Sequence, residues 1–304
     1  MLNRTRRLLR ALAVLGICAV ALQLDSAGER RTIAPGGLTL IEQDIRIFGP
    51  ANRYTIATHI VRPQVAGRLA AVILNHGAGA TARDRRDESP ELMRAAAQEF
   101  AERGYAVFQP LRSGFGATGG PLGEYVGSCE SPDYLRGMTA AADDIMAVYA
   151  FVRRLPYIDP SRIILAGQSA GGLAALVAAG REPPGLAAVL AFAAGMGGDP
   201  QAHPGTPCAP EMMAELFAHM GRHVKAPVLL QYAQNDRFFG ATSSQLWFER
   251  FRGGGASAEY ALLPSFGADG HFVFTDAGGA RYWVPVVEAF LRRHGLPFNR
   301  LAGA

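Results

Sequence analysis

Five largely apolar runs, at 69–75 (LAAVILN), 105–110, 162–166, 186–192 and 227–232, constrain this chain more than any other feature. A strand that is apolar at nearly every position has no face to offer water, so both of its sides must be covered. Helix-like stretches fall near 91–103, 138–154, 171–180, 210–222 and 243–252, in alternation with those runs. Such alternation predicts an α/β architecture, a mainly parallel sheet with helices on both faces. Segments 39–48 and 55–62 instead alternate apolar with polar residues and predict an opening antiparallel pair, ended by Pro63. A strand at 258–263 completes an expected set of eight, and 281–294 reads as a closing helix. With 49% hydrophobic and 18% charged residues, the 304-residue chain can bury a sizeable core.

The first residues obey different rules. Arg4, Arg6, Arg7 and Arg10 precede an apolar run at 11–22 and a polar stretch at 23–31. A basic start, a short apolar stretch and small residues near its end predict a secretory signal peptide. The run falls short of the about 20 apolar residues that span a bilayer, so no stable membrane span is expected in the mature chain. The segment 5–10 (TRRLLR) resembles the twin-arginine export pattern, although Leu9 stands where that pattern has Phe. Cleavage is expected after Ala21 or near Ala27, which makes residues 1–27 the leader and 28–304 one folded domain, periplasmic or secreted. Four arginines against Asp25 place +3 of the net charge of +4 in that leader. The remaining +1 is too small for a phosphate-binding footprint, so no nucleic-acid partner is expected.

Ligands of parallel sheets bind at the carboxyl ends of the strands, so the chemistry is sought in the loops there. Gly167-Gln168-Ser169-Ala170-Gly171 follows the strand at 162–166 and opens the helix at 171–180. A serine on so tight a turn is pushed towards a substrate, and neighbours without bulk are needed on both sides. The helix N-terminus beneath it favours developing negative charge. A serine hydroxyl needs a base, and the base needs an orienting acid. Asp236, in Gln234-Asn235-Asp236-Arg237 after the strand at 227–232, is the expected acid; Asp269 and Asp199 are poorer choices. His271, in Asp269-Gly270-His271-Phe272, is the expected base, because every other histidine precedes the nucleophile or the acid or ends the last helix. The loop 75–79 (NHGAG) after the strand at 69–75 would supply a backbone donor to the oxyanion, Ala78 ahead of Gly77, with Ala170 as the second. His76 reads as a structural hydrogen-bonder. No second ligand stands near it at a zinc-like spacing, so neither a metal nor a cofactor is expected.

On these residues the chain resembles the α/β-hydrolase superfamily, and within it the dienelactone-hydrolase-like and prolyl-oligopeptidase-like serine esterases. The matching segments are the His-Gly-Ala-Gly loop, Gly-Gln-Ser-Ala-Gly-Gly, Gln-Asn-Asp and Asp-Gly-His, with 110–120 (PLRSGFGATGG) similar to the Arg-Gly-x-Gly-x-Ser loop of that group. The resemblance runs from about residue 39 onward and implies ester hydrolysis through an acyl-serine intermediate. Ser169 departs from the cysteine nucleophile of dienelactone hydrolases, and the dienelactone reaction is therefore not carried over. The expected partner is a small-molecule or oligomeric ester. A peptidase or amidase, or a non-catalytic binding protein of the same fold, are the other readings.

Two long loops, 113–136 and 193–210, rise from the catalytic edge. Long loops within a compact domain are commonly functional. Their Phe115, Tyr125 and Met196, with Phe238 and Phe272, are candidates to line an apolar pocket. Cys129 lies in the first loop and Cys208 in the second, and an oxidising compartment would allow them to form a disulfide tying the flaps together.

Overall fold

The computed structural model describes residues 28–34, 36–79 and 81–301. The predicted leader, with Cys18, lies outside the described residues. Nine strands form one sheet: β1 (Arg30–Ile33), β2 (Thr39–Phe48), β3 (Thr55–Pro63), β4 (Leu69–Asn75), β5 (Tyr105–Pro110), β6 (Ile158–Gln168), β7 (Leu186–Phe192), β8 (Val228–Ala233) and β9 (Ala258–Leu263). Their spatial order is β1-β2-β3-β5-β4-β6-β7-β8-β9. Pairing is antiparallel from β1 to β5 and parallel from β5 through β4 to β9. The sheet has one strand more than the eight expected. The added strand is exposed and polar (RRTI), and pairs with β2 along one edge only. It carries none of the apolar alternation by which a covered strand is recognised.

The apolar runs became strands because the sheet is covered on both faces. All residues of β4 and β5 are buried. On β4, Ala71 and Ile73 face one core, with α3 (Tyr134–Val152), α4 (Ala170–Ala179), α5 (Pro210–His223) and α6 (Gly240–Gly253). Val72 and Leu74 face the other, with α2 (Arg94–Ala101) and α7 (Ala280–Arg293). This is the period of two expected when a strand is sandwiched between layers. A short α1 (Ala82–Asp87) was not anticipated. It has no buried residue, and a Thr81–Asp84 capping box holds its start instead. α3 begins at Tyr134, ahead of the expected 138, because the Asp133 side chain caps it by accepting from Arg136 N at 3.1 Å.

From β4 the chain crosses to β5 on one side and then returns to β6 on the other. The loops leaving β4 and β6 thus diverge over a crevice, the place where ligands of open parallel sheets bind. Among the described residues, no helix is long and apolar enough to cross a membrane.

Candidate active site

Ser169 sits between β6 and α4 with φ 57° and ψ −126°. That conformation costs a non-glycine residue of order 1–3 kcal/mol and persists only where the surroundings impose it. Here β6 and α4 impose it from either side: Ser169 N donates to Phe192 O at 2.9 Å, and Ser169 O accepts from Leu173 N at 3.1 Å. The glycine that follows is required by a close approach. A Cβ on Gly171 would stand 2.2 Å from His76 O and 2.3 Å from Asn75 O, so only glycine lets the loop after β4 lie against the helix start. On the other side of that contact, a Cβ on Gly77 would lie 3.4 Å from the Cβ of Ser169. The loop carrying Ala78 therefore rests directly beside the serine. Within the described residues no hydrogen bond engages the amides of Ala78 or Ala170.

Asp236 lies in the turn after β8 and is buried. Its Oδ1 accepts from the amides of Phe238 at 2.8 Å and Phe239 at 3.1 Å. His271 Nδ1 stands 3.2 Å from Oδ1 and 3.1 Å from Oδ2. The carboxylate is thus fixed by backbone donors and in turn holds the ring. His271 is buried too; Phe238 stacks on its imidazole at 4.0 Å between centroids, and Phe239 and Phe272 meet it edge-on at 5.2 and 5.5 Å. Gln168, the neighbour of the serine, donates its Nε2 to His271 O at 3.1 Å, so the histidine loop is tied to the serine turn. Among the described residues, no hydrogen bond joins the Ser169 hydroxyl to the imidazole. Such contacts are commonly long in unliganded enzymes and tighten when substrate binds.

Two residues that position this site escaped the sequence reading. Asn235 Oδ1 accepts from Phe266 N at 2.9 Å, and its Nδ2 donates to Phe266 O at 3.1 Å, pinning the histidine loop to the aspartate turn. Asp269, considered above as a poorer candidate for the acid, accepts at Oδ1 from Arg237 N and His271 N, both at 3.0 Å, and so clamps the same two loops. Their signal lies in plain sight, as polar residues beside Asp236 and His271, but adjacency alone does not say which backbone groups they reach.

Of the five expected pocket residues, Phe115, Tyr125 and Met196 line one cavity of about 120 Å³ beside Ala78, together with Arg85, Leu122 and Glu124. Phe238 and Phe272 do not line it and pack around His271 instead. Cys129 and Cys208 form a disulfide, with their Cα atoms 5.0 Å apart, joining the two long loops. Burial and the neighbouring Arg112 guanidinium hold His76 well below the usual imidazole range, which keeps it neutral. Among the described residues, no group of three or more His, Cys, Asp or Glu side chains is placed to hold a metal ion.

A crossover-built parallel sheet, a strained serine at a strand–helix turn and a buried Asp–His pair on the following loops define an α/β-hydrolase-fold serine hydrolase. The chain belongs to the family described as serine aminopeptidase, S33, whose family model matches residues 68–237 and so includes Ser169 and Asp236 but not His271. No curated protein matches it in sequence. Solved structures similar to it include a candidate dienelactone hydrolase from Klebsiella pneumoniae, at 17% identity and TM-score 0.57, covering 84% of this chain and 99% of that one. An acetyl xylan esterase from Paenibacillus sp. R4 aligns at 16% identity and TM-score 0.57, covering 88% and 89%. Est1E from Butyrivibrio proteoclasticus aligns at 14% identity and TM-score 0.56, covering 83% and 98%. At these identities the likeness is one of fold.

Proposed function

We propose that the protein hydrolyses a carboxylic ester through an acyl-serine intermediate, with Ser169 as nucleophile, His271 as general base and acid, and Asp236 as the orienting acid. The buried Asp236–His271 pair beside a strained serine is the observation that carries this reading. With Nδ1 directed at the carboxylate, Nε2 is the nitrogen left to accept a proton. In the proposed sequence the Ser169 hydroxyl oxygen attacks the ester carbonyl while its proton passes to His271. The oxyanion that forms is met by the amides of Ala78 and Ala170. Collapse expels the alcohol, which takes the proton from His271; a water then enters by the same steps and releases the acid.

The family's description as serine aminopeptidase supports a peptidase as the second reading. An aminopeptidase must hold a substrate ammonium, for which a free carboxylate facing the site is the natural partner. The acid lining the cavity beside Ala78 is Glu124, and Arg112 already occupies it. Arg85 in the same wall adds a positive charge. Both observations favour a neutral or anionic ester over an amine-bearing peptide.

The expected result is turnover of p-nitrophenyl esters well above that of aminoacyl anilides, with fluorophosphonate labelling that disappears in Ser169→Ala. His271→Ala is expected to cost several orders of magnitude in kcat. A folded wild-type protein that takes no label, or cleaves anilides faster than esters, rejects the reading.

A further inference from the structure

We infer that Arg112, held by Glu124, is a positioning residue that sets the oxyanion-binding amide of Ala78. This inference rests on the ester-hydrolase reading and adds a residue to its machinery. Arg112 stands just beyond β5 with none of its side chain exposed, and Glu124 in the flap is almost as deeply buried. A buried guanidinium must have its donors satisfied, since an uncompensated charge there is strongly destabilising. Glu124 takes Nε and Nη2, the latter at 3.1 Å. The two remaining bonds go to the loop after β4 and not to another acid: Nη1 donates to His76 O at 2.8 Å, and Nη2 to Gly77 O at 3.2 Å.

The second of those bonds has a consequence on the opposite side of the peptide. In a trans peptide the carbonyl and the following N–H point in opposite directions, and the described chain contains no cis bond. Drawing Gly77 O towards Arg112 therefore turns the Ala78 N–H away from Arg112. His76 reinforces the same orientation. Its Nε2 accepts from Arg112 N at 3.1 Å, which leaves the proton on Nδ1, and Nδ1 donates to Gly77 O at 2.7 Å. That carbonyl thus accepts two hydrogen bonds, and rotating the peptide plane would break both. A preorganised donor stabilises a developing charge without reorganising at the moment of reaction, which is the source of its catalytic effect. Glu124 contributes by fixing the guanidinium in plane with a two-point contact, a geometry that lysine cannot reproduce.

The test uses Glu124→Gln and Arg112→Lys in the full chain. The readouts are the second-order rate of fluorophosphonate labelling, kcat and KM on p-nitrophenyl acetate, and the melting temperature. Labelling and kcat are expected to fall together by about 10- to 100-fold, less than the roughly 100- to 1,000-fold that follows removal of a whole oxyanion donor, while KM moves less than about threefold. Affinity for a trifluoromethyl ketone, whose carbonyl carbon bonds the Ser169 oxygen as the proton passes to His271, should fall by the same factor as kcat, because its adduct carries the same oxyanion. An ion pair of purely structural value would lower the melting temperature and leave the labelling rate at low temperature unchanged. Folded variants that label within about threefold of wild type overturn the inference, and so does loss of the folded state in both. Wild-type protein that does not label at all removes the hydrolase reading instead.

Discussion

Glu88 lies buried against the loop after β4, its Oε2 4.0 Å from His76 Nδ1, and serves no step proposed above. Burial pushes its carboxyl up from the ordinary 4.5 to about 7, the nearby Arg112 guanidinium opposing the rise. Below about pH 4.5 the carboxyl is protonated in folded and unfolded chains alike. Between there and about pH 7 the unfolded carboxyl ionises while the buried one keeps its proton, so stability falls as the pH rises through this window. Glu88→Gln removes that dependence. Its stability relative to wild type should therefore improve between pH 5 and pH 8, by on the order of 1–3 kcal/mol. Urea titrations at the two pH values check this, and a constant difference between the proteins rejects it. Half-buried Tyr54 donates a hydrogen bond to buried Asp144, and Asp144 Oδ2 accepts from Ser113 N at 2.7 Å at the root of the flap. Polar groups buried in this way are satisfied because leaving one unpaired costs more than the bond itself returns. The chain reveals which residues are polar, and their partners come from distant elements.

The two long loops show what the disulfide does at the scale of elements. Cys129 and Cys208 are 79 residues apart in the chain, so closing that loop restrains the unfolded state considerably. The chain-entropy argument gives about 4.5 kcal/mol for a loop of this length, and measured values commonly fall at 2–4 kcal/mol. Replacing both cysteines by serine should lower stability by that amount and raise KM, since the freed flap carries Phe115, Tyr125 and Glu124. Guanidinium denaturation and steady-state kinetics check the two parts, and a stability loss under about 1 kcal/mol rejects the clamp. Elements with a strong local pattern were readable in advance. β2, β4, β5, β7 and β9 occupy the segments expected from apolar runs or alternation. β1 and α1 were missed because neither buries a side chain, and burial is what writes periodicity into a sequence. The turn at Ser169 was legible because its glycines are demanded by backbone contacts, whereas the division of the aromatic residues between cavity and imidazole depended on where each loop folded back.

For the whole molecule, the leader predicts export, with a mature chain beginning after Ala21 or near Ala27. Expression of the full chain in a bacterial host, followed by N-terminal sequencing of the periplasmic fraction, should find Leu22 or Gly28 first; an intact Met1 retained in the cytoplasm rejects export. The sheet class, the strand–helix alternation and the three residues proposed for catalysis follow from local sequence, because covered strands, helix starts and tight turns each restrict residue types over a few positions. The insertion of β5 between β3 and β4, and the meeting of Arg112 with Glu124 and the carbonyls of His76 and Gly77, were decided by tertiary structure alone. Strand neighbours are chosen by hydrogen bonding and packing across the entire sheet, and a buried charge finds its partners only after that arrangement has closed around it.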